Sequence, residues 1–308
     1  MKEITAFAPA TVANVSCGFD ILGFAIDSLG DKVKVKLAEG SELKVVEIQG
    51  DGGKLPFEPD KNTCSVAIQA MLDQMQVRQG MEISLYKGLP LGSGMGSSAA
   101  SAAAALVAAN EVLGRPFAKE DLVPFAMEAE RIACGAAHAD NVAPSILGGF
   151  VLIRGYDPLD VIKLPVPEGL HCTLLHPHLE LKTSDSRSVL KQQISLKDST
   201  MQSGNIAGLI AGLFKNDFEL LGRSLKDVIA EPSRALLIPG FYELREAIKN
   251  VGALGSGISG SGPTIFILSS NEGIATKAGE VSRKVFDDIG LGVDVYVSKV
   301  NVKGAYVL

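Results

Sequence analysis

Residues 88–100, GLPLGSGMGSSAA, constrain this chain more than any other stretch. They follow an apolar run at 81–86 with strand character and lead into an alanine-rich helical stretch at 98–113. Gly92, Gly94 and Gly96 remove every second Cβ, so the backbone is free to turn several N–H groups toward one point. Ser97 and Ser98 stand at the helix start, where unpaired N–H groups and the helix dipole favour an anion. A phosphate chain is the natural guest. Either serine hydroxyl also offers the hard oxygen that Mg²⁺ prefers. A simple serine-capped turn needs one or two glycines, not this density. The loop is neither a GxxxxGK[ST] loop nor a GxGxxG fingerprint, and no lysine stands at its helix start.

The rest of the composition narrows the setting. The chain has 308 residues, with 29 Lys and Arg against 35 Asp and Glu, a formal charge of −6. Apolar residues make up 46% and charged residues 21%, which suits an ordered globular protein and not a disordered one. The acidic balance argues against a nucleic-acid partner, which needs a basic face. No run reaches the ~18 apolar residues of a membrane span, and the N-terminus does not read as a secretory signal. Cys17, Cys64, Cys134 and Cys172 form no CxxC pair and read as reduced core thiols, which points to the cytoplasm.

Periodicity predicts strands at 4–12, 32–37, 43–48, 81–86, 148–154, 172–176, 264–269 and 293–300, with 43–48 pairing against 32–37. It predicts helices at 62–75, 98–113, 119–134, 185–192, 201–214, 217–227, 242–250 and 272–288. No regular βαβ rhythm runs through them, so the expected class is α+β. A Pro-rich stretch at 157–169 is the candidate boundary between two domains, 1–164 and 165–308.

Several polar constellations carry two readings each. Asn14 and Asp20, in APATVANVSCGFDILG, are either turn residues or contacts for an amine or hydroxyl. Glu128, Glu130, Asp140 and Asn141 bring oxygen donors to one region. Glu130 is either a solvated helix residue or a carboxylate completing a Mg²⁺ site. His138 beside them reads as structural. Arg187, following Thr183 in LKTSDSRSVL, and Arg234, in AEPSRALLIPGF, are either surface ion pairs or two halves of a carboxylate clamp, since a guanidinium grips carboxylate in a bidentate way that lysine cannot copy. Residues 255–263, GSGISGSGP, form a tight turn or a compact loop that buttresses the first glycine loop. His176 and His178 alternate onto one strand face but have no third ligand near in sequence, so they read as structural.

The segment GLPLGSGMGSSAAS resembles the nucleotide-binding motif of the GHMP kinases. Met95 stands where that family usually has Leu, a volume-conserving change. The segments around Asn14, Asp140, Arg187, Arg234 and Gly260 extend the likeness over nearly the whole chain, toward the branch of the family that phosphorylates homoserine. Val12, Ser16 and Cys17 depart from the small or Pro residues usual in the first of these. The resemblance implies a ribosomal protein S5 domain 2-like N-terminal part and a ferredoxin-like C-terminal part, with the site between them. It implies ATP at Asn62 and along Pro90, Leu91, Gly92, Ser93, Gly94, Met95, Gly96, Ser97, Ser98, Ala99 and Ala100. It implies Mg²⁺ at Ser98 and Glu130. L-homoserine would then sit among Asn14, Asp20, Asp140, Asn141, Thr183, Arg187 and Arg234.

The activity so implied is transfer of phosphate from ATP to homoserine, a step toward threonine. No Lys or Arg in residues 14–23 supports an Asp general base, so catalysis by proximity is expected. The alternatives are a GHMP kinase for another small alcohol, or a nucleotide-binding regulator without turnover. Mevalonate carries a carboxylate but no amine to justify the acidic residues. Members of the family often form homodimers, on which no residue here bears.

Overall fold

The computed structural model describes residues 2–135 and 137–308, with Ser28 and Cys134 described by their backbone alone. The Lys/apolar alternation at 32–37 becomes the middle of a long strand, β2 (Leu22–Ala38), in which Val33 and Val35 are buried. Along one edge it pairs antiparallel with β1 (Glu3–Ala13), and along the other with β4 (Gly80–Tyr86). The strand β3 (Leu43–Gln49) does not pair with β2 as its pattern suggested. It lies outside β4 and parallel to it. The reason is the helix α1 (Thr63–Met75) between them, because a helical crossover delivers parallel neighbours. The hairpin β5 (Phe150–Tyr156) and β6 (Leu159–Leu164) attaches to the first residues of β2. Part of the expected linker is therefore strand, with Leu159 and Val161 packed on the core.

Three further helices cover this sheet: α2 (Ser97–Val112), α3 (Val123–Cys134) and α4 (Ala139–Leu147). Alanines line α2 on every side, so it lies close against β1 and β2 while α1, α3 and α4 surround it. Sequence periodicity missed α4, which carries Pro144. Pro144 has no N–H for the Asp140 carbonyl. That carbonyl lies where a Cβ on Gly23 would stand, so glycine is what admits the close approach of α4 to β2.

The second sheet holds β7 (His171–Pro177), β8 (Gly255–Ile258), β9 (Ile265–Ser269) and β10 (Val293–Lys299) in the order β10-β7-β9-β8, all antiparallel. Counted within this part the order is 4-1-3-2, that of a split βαβ, ferredoxin-like sheet. Between β7 and β8 run α5 (Thr183–Ser188), α6 (Leu196–Lys215), α7 (Phe218–Ser224), α8 (Glu231–Arg234) and α9 (Phe241–Asn250). The helix α10 (Glu272–Asp288) joins β9 to β10 and packs on the sheet. His176 and His178 lie beside Asp294, at 3.6 and 3.2 Å, away from the site described below.

The two sheets share one core. Phe24 of β2 packs on Phe150 (4.6 Å between centroids) and edge-on to Phe266 of β9 (6.0 Å). After β10 the chain returns to the first sheet, where β11 (Tyr306–Val307) pairs with β1. A single cut at 164/165 therefore leaves the last strand of the first sheet in the second half. Cys17, Cys64 and Cys172 are buried and unpaired, and the side chain of Cys134 lies outside the described residues. No helix among the described residues is long and apolar enough to cross a membrane.

Candidate active site

The glycine loop runs from the end of β4 into α2. Gly92, Gly94 and Gly96 all have positive φ, between 64° and 82°, which side chains rarely tolerate. At Gly94 a Cβ would stand 2.7 Å from the Ser259 carbonyl oxygen and 2.8 Å from that of Gly262. The second glycine segment is thus pressed against the first. Ser259 donates its hydroxyl to the Gly94 carbonyl at 2.6 Å, and Thr264 N–H donates to the Ser93 carbonyl at 3.2 Å. Residues 255–263 take the buttress reading, with β8 as their first part. No side chain caps α2, so its first N–H groups remain available to an anion.

A cleft of about 380 Å³ opens beside this loop, between the two parts of the chain. Leu91, Gly92, Ser93, Gly94, Ser97 and Ser98 border it, whereas Pro90, Met95, Gly96, Ala99 and Ala100 do not. Met95, Ala99 and Ala100 point their side chains into the core. The two serines part company here. The Ser97 hydroxyl accepts from Lys87 Nζ at 2.7 Å, while Ser98 is half-buried and borders the cleft without such a tie. Lys87 supplies what the helix start lacks in sequence. It comes from the strand end just before the loop, and its ammonium lies against Ser97 and Ser101.

At one end the cleft is bordered by Leu55, Pro56, Lys61, Asn62 and Thr63. Asn62 caps α1, accepting from Cys64 N–H at 3.0 Å and donating to the Pro56 carbonyl at 2.9 Å. Its side chain is thus engaged by the helix start and by the segment before it. From α3, Glu130 reaches the cleft and is 6% exposed. Glu128, two residues away and so on another face, pairs at the surface with Arg131.

The opposite end collects the charged residues. Asp20, Arg187, His138, Asp140, Asn141, Thr183 and Arg234 all border it, although they come from four separate parts of the chain. Arg187 donates to Asp20 Oδ1 at 3.2 Å and to His138 Nε2 at 2.8 Å. His138 is therefore a site residue, contrary to its structural reading. Burial lowers its pKa, with Arg187 adding to the fall and Asp20 opposing it, so the ring is neutral and Nε2 accepts. Arg234 is 4% exposed and donates to the carbonyls of Ser186 (3.1 Å) and Gly260 (3.0 Å). Both guanidinium groups lie over Phe19, at 5.1 Å for Arg234 and 5.9 Å for Arg187.

Asp140 is buried near the start of α4. Burial, then the charges of Asp20 and Glu130, push its carboxyl up to about 7. Asn141 accepts from the Thr11 hydroxyl at 2.7 Å. Thr183 lies 3.3 Å from the Ser261 hydroxyl, which ties α5 to the second glycine segment.

Asn14 borders the cleft and ties its own loop to the second glycine segment. It donates to the Gly260 carbonyl at 2.7 Å and accepts from Asp20 N–H at 3.0 Å. Asn14, Val15 and Ser16 have φ of 69°, 42° and 60°, and Asp20 has 58°. Left-handed backbone at four non-glycine residues is strain, held by the contacts just described. It turns Asp20 toward Arg187. Beside the loop residues and Asn62, the cleft gathers Asn14, Asp20, Ser98, Glu130, Asp140, Asn141, Thr183, Arg187 and Arg234 of the residues expected from sequence. Sequence reasoning missed Lys87, Asp31, Phe19, Ser261 and Thr11. Thr11, Phe19 and Ser261 stand inside the quoted segments but carry no pattern that marks them, Lys87 stands one residue before the glycine loop, and Asp31 stands apart from any motif.

One half of the cleft can thus take a phosphate chain and the other a small zwitterion. Two family models match the chain. GHMP kinases N terminal domain matches residues 62–149, and GHMP kinases C terminal matches 209–288. A homoserine kinase of Chlorobium phaeovibrioides is 54% identical over the whole of both chains, and one of Chlorobium phaeobacteroides is 53% identical over the same span. The crystal structure of homoserine kinase from Cytophaga hutchinsonii superposes with a TM-score of 0.97 at 53% identity, covering 100% of this chain and 98% of that one.

Proposed function

The chain belongs to the GHMP kinases, and on that premise we propose that it phosphorylates the side-chain hydroxyl of L-homoserine with ATP. The observation that carries the choice of acceptor is the charge pattern at the inner end of the cleft. Two arginines and two aspartates converge there, the complement of one α-carboxylate and one α-amine. Arg187 and Arg234 take the carboxylate, and Asp20 and Asp140 take the amine. The contact between Arg187 and Asp20 holds each group until the substrate replaces it. Thr183 and Asn141 stand beside the acceptor hydroxyl.

The glycine loop and the N-terminus of α2 hold the phosphates. Ser98 and Glu130 are hard oxygen donors on the wall of the same cleft, which fits Mg²⁺. When bound, that ion neutralises charge on the phosphates. In the transfer, the γ-phosphorus gains a bond to the homoserine oxygen and loses its bond to the β-phosphate oxygen. The hydroxyl proton passes to a phosphate oxygen or to solvent, and ADP leaves. Catalysis comes from alignment and charge stabilisation, not from a covalent intermediate. Arg187 supplies beside Asp20 the cation that residues 14–23 lack, and Asp20 in this reading faces the substrate amine and not its hydroxyl. The buried unpaired thiols are in keeping with a cytoplasmic enzyme.

An assay of ADP release over homoserine, mevalonate, galactose and serine tests this reading. Turnover selective for homoserine is expected. Tight ATP binding without turnover on homoserine would refute it and favour a regulator.

A further inference from the structure

The reading above leaves one buried ion pair without a part. Lys87 and Asp31 form a salt bridge with side chains 1% and 0% exposed, beneath the glycine loop. We propose that this pair is a staple that closes the loop and presets it for the nucleotide, with Asp31 and Lys87 as positioning residues. The inference rests on the nucleotide reading of the cleft.

Asp31 sits in β2 and holds the loop entry. Its Oδ1 accepts from Gly88 N–H at 2.9 Å and from Leu89 N–H at 3.2 Å. Lys87 holds the loop exit. Its ammonium donates to the Ser97 carbonyl at 2.9 Å and the Ser97 hydroxyl at 2.7 Å. The Ser101 hydroxyl locks the two together, accepting from Lys87 at 3.0 Å and donating to Asp31 Oδ2 at 2.7 Å. Both ends of residues 88–97 are thus fastened to one point.

Stability alone is a poor explanation for such a pair. A buried ion pair is often no more stabilising than apolar residues of the same volume, because two charges must be desolvated. Here every acceptor of the ammonium is Asp31 or lies within the first five residues of α2. Both serines border the cleft, and Lys87 engages the hydroxyl of Ser97. Lys87 itself borders the cleft floor.

The test is Lys87→Met in the full chain, with direct titration of a fluorescent ADP analogue and Mg²⁺, and with KM measured for both substrates. Nucleotide affinity should fall on the order of tenfold, the scale of one hydrogen bond to a charged group. The homoserine KM should move by less than about twofold. A folded variant with unchanged nucleotide affinity, or with equal losses for both substrates, overturns the proposal. Should Lys87→Met not fold, Ser101→Ala removes only the locking hydroxyl. It should raise the nucleotide Kd about threefold, in keeping with one net hydrogen bond, and an unchanged Kd overturns the proposal. Nucleotide titration needs no acceptor alcohol. Failure of the wild-type chain to turn over homoserine would therefore count against the proposed acceptor and leave this test readable.

Discussion

Replacing Asp140 by Asn should make the substrate-free protein more stable at pH 8 while weakening homoserine binding. Asp140 is 3% exposed, and burial with the charges of Asp20 and Glu130 pushes its carboxyl up to about 7 from an ordinary 3.8. Below pH 3.8 the group is protonated in the folded and unfolded chains alike. Between 3.8 and 7 the folded protein keeps a proton that the unfolded chain releases, so stability falls as pH rises. Above 7 the loss is complete. The difference of about 3 in pKa, at about 1.4 kcal/mol each, makes a penalty on the order of 4 kcal/mol. Asn has nearly the same shape and no charge, so it removes the penalty.

Urea unfolding at a series of pH values measures this directly, with no substrate present. The curves for wild type and Asp140→Asn should converge near pH 4 and separate steadily to pH 8. Reading the difference between them cancels Glu231, whose carboxyl is also pushed up to about 7, chiefly by burial. The same variant should raise the homoserine KM at least about tenfold, as one charged partner of the amine is lost. Parallel stability curves, or a variant no more stable than wild type at pH 8, would refute the account of Asp140 as a strained, function-bound carboxyl.

Arg234→Leu should raise the homoserine KM by roughly 10- to 100-fold through loss of a charge-assisted contact and leave the ATP KM nearly unchanged. It should also lower the unfolding midpoint, because the Ser186 and Gly260 carbonyls lose their donor; steady-state kinetics and thermal melts read the two effects. Ser98→Ala should raise the Mg²⁺ concentration for half-maximal rate, whereas Ser97→Ala should not shift it, because the Ser97 hydroxyl faces Lys87. A Mg²⁺ titration of initial rates separates them. Gly94→Ala places a Cβ 2.7 Å from the Ser259 carbonyl oxygen at φ 82°. It should cost about 1–2 kcal/mol in backbone strain alone and weaken nucleotide binding, as calorimetric titration with ADP would show.

Much of the phosphate half was legible because its chemistry is local. The signal for an anion loop is glycine spacing followed by a helix start, and both lie within thirteen consecutive residues. The different surroundings of Ser97 and Ser98 were not legible, since they turn on Lys87 and on Asp31, which lies more than fifty residues upstream. His138 misled because its partners, Asp20 and Arg187, are far from it in sequence. Pairing of β3 misled for a similar reason, as alternation marks a strand but not its neighbour.

Local order therefore carried the α+β class, most helices, the nucleotide loop and the residue types needed for an amino-acid substrate. Those depend on periodicity and on backbone freedom at single residues, which neighbours in the chain largely set. Assembly of the charged end of the cleft depended instead on contacts between distant segments. Asp20, His138, Arg187 and Arg234 become one site because a strained loop after β1, the start of α4 and two short helices of the second part meet across the cleft. The pKa of Asp140 belongs to the same level. Burial and neighbouring charge raise it, and neither exists until the chain is folded.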